Sequence, residues 1–242
     1  MLNQDEFTGM HLIAHGDKSV FQVESLDGYQ TVRRFSDKAL RSGTNYKAAQ
    51  VRNDLYKVGY DKLSVTKFTN CTNLGLEDNQ VQKVVLQAKN VPRWYFSLTN
   101  YNNERLIVAG GLHLSTTVEI FAYIISRNQW VKIQSMNQPR SQHSACALKT
   151  RIYFVGGVDS NMRRLNTIEY IDMNSNERGS PIECMDVPRE LPVFGKIASN
   201  KLVIMGGIGD VGKLDDVYIF TVNEEEWAAS EKAEAQAGIN SL

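Results

Sequence analysis

Arg105-Leu-Ile-Val-Ala-Gly110-Gly111 is followed, along a chain of 242 residues, by Arg151-Ile-Tyr-Phe-Val-Gly156-Gly157 and Lys201-Leu-Val-Ile-Met-Gly206-Gly207. Each stretch is one basic residue, four apolar residues and a Gly-Gly pair, and the first glycines stand 46 and then 50 residues apart. A period of that size marks an array of supersecondary units. Four apolar residues without polar alternation suit a short strand buried on both faces. Gly-Gly is expected to end that strand, because glycine accepts positive φ and lets a neighbouring sheet come close.

Other features keep the same register. Pro92-Arg93, Pro139-Arg140 and Pro188-Arg189 are spaced 47 and 49 residues apart, each ahead of its Gly-Gly. Downstream come Val118-Glu-Ile-Phe, Ile168-Glu-Tyr-Ile and Val217-Tyr-Ile-Phe. Trp130 and Trp227 then fall 19 and 20 residues after Gly111 and Gly207, with Arg178 in the corresponding place of the middle copy. Each unit therefore reads as four short strands separated by turn-formers such as Asn102-Asn103 and Asp159-Ser160-Asn161.

The remaining sequence bounds the function. Lys plus Arg and Asp plus Glu are 27 each, so no global field favours nucleic acid or an acidic membrane. No run approaches the roughly 18 apolar residues of a membrane span. Met1 to Met10 has neither the basic nor the apolar region of a signal peptide. Cys71, Cys146 and Cys184 form no CxxC pair, which fits a reducing, cytoplasmic location.

The combination of Pro-Arg, a small-residue strand, an apolar strand ending in Gly-Gly, an aromatic strand and a Trp resembles the kelch-repeat family over residues 92 to 227. The resemblance implies an all-β fold, a β-propeller whose repeats each form a four-stranded blade. Three clear repeats are expected at 92–138, 139–187 and 188–227, with two degenerate blades in 1–91 and a helical or frayed tail at 228–242, about five blades in all. In the degenerate part, Asp54-Leu-Tyr-Lys-Val-Gly59-Tyr60 takes the place of the second strand, with Tyr60 for the second glycine. Leu63 to Phe68 and Val81 to Leu86 are its outer strands, and His11-Leu-Ile-Ala-His15-Gly16 with Ser19-Val-Phe-Gln-Val23 is an earlier strand pair. The alternative is partial helix over residues 38 to 58 and an open stack of three or four blades. The polar segment after Trp227 makes poor strand, so the ring is expected to be incomplete: a fragment of a longer protein, or one closed by a partner.

No catalytic or metal motif emerges. His11, His15, His113 and His143 form no ligand pattern with the cysteines, there is no GxSxG elbow or GxxxxGK[ST] loop, and no cofactor or metal is expected. Arg41, Arg93, Arg140 and Arg189 share the position that opens each inner strand, which blade symmetry brings to one rim. Kelch resemblance adds the loops after Gly-Gly, here His113, Asp159 and Asp210, as partner contacts. Forked guanidinium groups suit carboxylate or phosphate, so the expected partner is an acidic or phosphorylated protein segment. The other reading is that each arginine bridges loops within its own blade. The function expected is a non-catalytic protein-interaction module; the alternative is a propeller-class isomerase or lyase acting on a small polar or sugar substrate.

Overall fold

Short apolar runs bounded by turn residues become strands throughout. The computed structural model describes residues 12–16, 19–26, 29–35, 46–52, 54–60, 62–69, 82–85, 93–175 and 177–222. The first strands, β1 (Leu12–Gly16), β2 (Ser19–Leu26) and β3 (Tyr29–Phe35), form an antiparallel meander. The expected early strand pair is its first hairpin, with Gly16 opposite Ser19.

A four-stranded sheet follows from β4 (Tyr46–Val51), β5 (Asp54–Gly59), β6 (Val65–Thr69) and β7 (Gln82–Val85), in that spatial order. The partial helix weighed for residues 38 to 58 is replaced by strand from residue 46 onward: Val51 and Leu55, buried on either side of the turn, anchor a hairpin instead.

The next sheet orders β8 (Ser97–Tyr101), β9 (Arg105–Ala109), then β12 (Glu119–Ile124) and β13 (Gln129–Ser135), with a two-residue ribbon of β10 (Leu112–His113) and β11 (Ser115–Thr116) inserted after Gly-Gly. A third such sheet comprises β14 (Ser144–Leu148), β15 (Arg151–Val155), β16 (Thr167–Asp172) and β17 (Arg178–Glu183). The last described sheet has three strands, β18 (Val193–Ala198), β19 (Lys201–Gly209) and β20 (Gly212–Thr221).

The inner strands β4, β8, β14 and β18 pack in succession, so these four sheets stack as propeller blades in an arc, and among the described residues the ring is not closed. Apolar faces meet between neighbours: Leu106 and Val108 against Tyr56 and Val58, Ile107 and Ala109 against Ile152 and Phe154, Tyr153 and Val155 against Leu202 and Ile204. These residues fill both faces of β9 and β15, as the absence of polar alternation predicts, and one face each of β5 and β19. Trp130 packs against Tyr123, ring centroids 5.3 Å apart, in the seam toward the preceding blade.

The last blade departs from one expectation. Gly110-Gly111 and Gly156-Gly157 do end their strands, but β19 continues through Gly206-Gly207 to Gly209. Here the chain after Gly-Gly pairs as a continuation of the same hairpin, which closes in a tight loop at Asp210-Val211, with Gly209 opposite Gly212 and a register shift between Met205 and Gly207. Trp227 and the tail at 228–242 lie outside the described residues.

Candidate functional site

In each clear repeat, the tight turn between the first two strands sits at one end of the blade. The Pro-Arg loop and the Gly-Gly pair are thereby brought together at the other end. Reciprocal backbone hydrogen bonds fasten them: Trp94 with Leu112, Ser141 with Val158, Glu190 with Ile208. The arginine of each loop then turns inward, with side chains of Arg93, Arg140 and Arg189 only 1, 0 and 0% exposed.

Their guanidinium groups make the same two contacts in each blade. One Nη donates to the carbonyl of the first glycine, Gly110, Gly156 or Gly206, at 3.0, 2.9 and 2.9 Å. Another nitrogen pairs with a carboxylate on the third strand: Arg93 with Glu119 (2.6 Å), Arg140 with Glu169 (2.7 Å), Arg189 with Asp216 (2.7 Å). Two residues beyond the acid, Phe121 and Tyr218 lie under Arg93 and Arg189, each 5.0 Å from guanidinium carbon to ring centre. Arg140 is the most enclosed: it also donates to Thr167 and Gln138, and burial draws its pKa down against the attraction of Glu169. Lys132 and Arg93 hold the Glu119 carboxyl below its ordinary range, and Arg189 does the same for Asp216.

The same arginines mark the seams between blades. The Gly111 N–H donates to the Arg140 carbonyl and the Gly157 N–H to the Arg189 carbonyl, at 2.7 and 2.8 Å. A Cβ on Gly110 would lie 2.3 Å from the Arg140 carbonyl oxygen, and one on Gly156 would lie 2.7 Å from that of Arg189. With φ of +59° and +61°, these glycines are required both by conformation and by the approach of the next blade. Where Tyr60 replaces the second glycine, the bond reverses and Arg93 N–H donates to the Tyr60 carbonyl.

Two residues after each arginine the backbone turns left-handed, at Tyr95, Gln142 and Leu191. Gln142 N–H donates to the Tyr95 carbonyl and Leu191 N–H to the Gln142 carbonyl, lining three loops along one rim. Just beneath, His143 Nε2 lies 2.8 Å from Ser97 Oγ of the preceding blade. That is nucleophile–base reach, but both residues are only 2% exposed and His143 Nδ1 has no hydrogen-bond partner. Burial, with Arg140 and Lys47 nearby, holds the His143 pKa well below its usual value.

The loops after Gly-Gly surround this rim. A cavity of about 360 Å³ opens between the first two clear repeats, lined by His113, Ser115, Thr116, Thr117 and Ser160, with Arg93 and Glu119 in its wall. Asp159 is turned into its own loop, accepting from the N–H groups of Asn161 and Arg163. Asp210 is exposed at the next loop and pairs with Arg164, which also reaches Glu190, so Arg164 ties neighbouring blades together. The loop residues are thus gathered at one end, whereas the three arginines point into the blades. Arg41 lies outside the described residues. Among the described residues, no cluster of three or more His, Cys, Asp or Glu side chains is placed to hold a metal ion.

The acidic partners Glu119, Glu169 and Asp216 and the bridging Arg164 were not singled out from sequence. The signal for the acids was present: a carboxylate stands at the start of each apolar third-strand run, 26, 29 and 27 residues after its arginine, with Asp215 beside it in the third copy. A lone carboxylate in an otherwise apolar strand needs a buried cation.

Residues 42–237 match the family model described as the KLHDC2/KLHL20/DRC7 Kelch-repeats domain. The chain belongs to the kelch-repeat family. Among kelch relatives, it is 30% identical over 127 residues to Kelch-like protein 35 of Mus musculus, covering 51% of this chain and 21% of that protein. It is 27% identical over 108 residues to Kelch-like protein 7 of Rattus norvegicus, covering 44% and 18%, and 32% identical over 75 residues to Kelch repeat protein M-T9 of Myxoma virus (strain Lausanne), covering 31% and 15%. The chain spans about a fifth or less of the length of these kelch proteins.

Proposed function

We propose that this kelch-repeat chain is a non-catalytic protein-interaction module, and that a partner segment binds at the end of the arc where the Pro-Arg loops and the post-Gly-Gly loops meet. The observation that carries this reading is the backbone chain from Tyr95 through Gln142 to Leu191, which lines three loops into one rim beside the cavity at His113 and Ser160. Kelch-repeat relatives are generally protein-interaction modules, which favours the same class. The contacts fall to His113, Asp159, Asp210 and their loops. Arg93, Arg140 and Arg189 contribute by holding those loops in place, since their guanidinium groups are occupied within the blades. Selection for an acidic or phosphorylated segment rested on exposed arginines at the rim, and the proposal does not require it.

The test is site-directed photocrosslinking in the native cell, with a benzophenone side chain at Ser115 or Ser160 on the loop end and at Asn103 or Ser175 on the opposite end. A partner protein captured from the first pair and not from the second supports the reading. Capture from the opposite end alone contradicts it.

A further inference from the structure

The exposed apolar side chains are unevenly distributed. Trp94, Tyr95 and Leu191 lie on the Pro-Arg loops at 39, 46 and 45% exposure, and Leu114, Met162 and Val211 lie at the tips of the post-Gly-Gly loops at 97, 75 and 94%. All six are at the loop end of the arc; the other large exposed apolar groups among the described residues, Val193, Val217 and Ile219, lie on strands of the last sheet. Successive tips touch, through Thr116 Oγ1 donating to the Asp159 carbonyl and through Arg164 pairing with Asp210.

Backbone conformation sharpens the contrast. Tyr95, Leu114, Met162 and Leu191 all have φ between 54° and 61°. A left-handed position on an exposed turn favours Gly, Asn or Asp, which fit the conformation and lose nothing by facing water. At the opposite end the exposed left-handed residues are all polar: Arg52, Asn102, Asn103, Asn128 and Lys149. At the loop end the sequence instead places bulky apolar groups where folding alone gives them nothing. Singly exposed apolar residues are ordinary, but a one-sided set on adjoining loops marks a contact surface.

Charge at this end comes from Arg163 and Lys213, both exposed, beside cations that are already paired. Arg164 is neutralised by Glu190 and Asp210, and the three repeat arginines are directed into the blades.

We propose that the loop end recognises a protein segment through apolar anchors, with Leu114, Met162 and Val211 as an outer row and Trp94, Tyr95 and Leu191 as an inner one. The occupant is a partner segment bearing two or more aliphatic or aromatic side chains, held by shape and apolar contact with those anchors. This inference rests on the proposed binding end and specifies its partner chemistry.

The experiment is selection of random phage-displayed peptides on the full chain, followed by dissociation constants for synthetic forms of the enriched peptides. Leu114→Asn and Met162→Asn are the diagnostic variants, because Asn suits the left-handed backbone and should leave the melting temperature unchanged or raised. The expected result is enrichment of peptides with paired apolar residues, each variant weakening binding about tenfold, an effect typical of a well-placed contact residue. Acidic peptides that compete at the loop end and are indifferent to both variants would overturn the apolar anchoring while leaving the binding end in place. Peptides that map to Asn103 and Ser175 at the far end would overturn both. Failure to enrich any peptide, or concentration-dependent dimerisation that either variant abolishes, would also count against it, the latter assigning the surface to a second copy.

Discussion

Gly156 shows how much one residue position carries. Its φ of +61° and the Arg189 carbonyl 2.7 Å from any added Cβ mean that Gly156→Val strains both the backbone and the seam. Each effect costs on the order of 1–3 kcal/mol, so denaturant unfolding should show a loss of at least about 2 kcal/mol. Gly195, within β18 and with nothing within 4 Å of an added Cβ, is the internal contrast. There Gly195→Ala should be neutral or stabilising by up to about 1 kcal/mol. The arginines should rank by how completely their carboxylates are enclosed. Arg140→Ala leaves the Glu169 side chain, 1% exposed, without its cation, for an expected loss of about 3–5 kcal/mol. Arg93→Ala should cost less, because Glu119 is a third exposed and retains Lys132.

His143 adds a pH dependence at the same scale. Its folded pKa is depressed below the ordinary 6.5, first by burial and then by Arg140 and Lys47, so the unfolded chain takes up the proton first. Stability is therefore full above about pH 6.5 and falls as pH drops from there toward the lower folded value. Glu119 and Asp216, with pKa values lowered from 4.5 and 3.8, lose their contribution only in the more acidic range. Melting temperatures between pH 7 and pH 5 should fall for the wild type, and His143→Gln should flatten that decline. An unchanged slope in the variant would show that His143 is not the titrating group.

At the scale of elements, the repeated stretches gave away the second strand, and the acid-bearing apolar runs gave away the third. Their periodicity reflects burial on both faces, a local property that sequence displays directly. The direction of the arginine side chains was not legible, because a Pro-Arg pair has the same appearance whether the guanidinium faces solvent or the carbonyl of a glycine 17 residues ahead. The prolongation of β19 was equally hidden: the Gly-Gly pair is the same in all three copies, and the extra pairing of Gly207 to Gly209 with Gly212 to Leu214 is made by the residues beyond it. Arg164 joins two loops whose proximity exists only after the blades stack. Its ion pair with the well-exposed Asp210 is a surface contact and that with Glu190 is only partly covered, so Arg164→Ala should lower stability less than Arg140→Ala in denaturant titration. Its more visible effect should be faster amide exchange in the loop between Val158 and Leu165, followed by hydrogen–deuterium exchange.

Among the described residues the main contacts between blades are between neighbours, β4 with β8, β8 with β14 and β14 with β18, so stability is largely a sum of blade and seam contributions. The central claim is that the repeat arginine belongs to the seam: its side chain secures its own blade while its carbonyl receives the Gly-Gly N–H of the blade before. Native-state hydrogen–deuterium exchange on Arg140→Ala tests this most directly. The account predicts lost protection in both adjoining blades, at the β9 amides of residues 105–109 as well as the β15 amides of residues 151–155, with β5 little changed. Loss confined to the loop around Arg140, or protection indistinguishable from wild type, would contradict it.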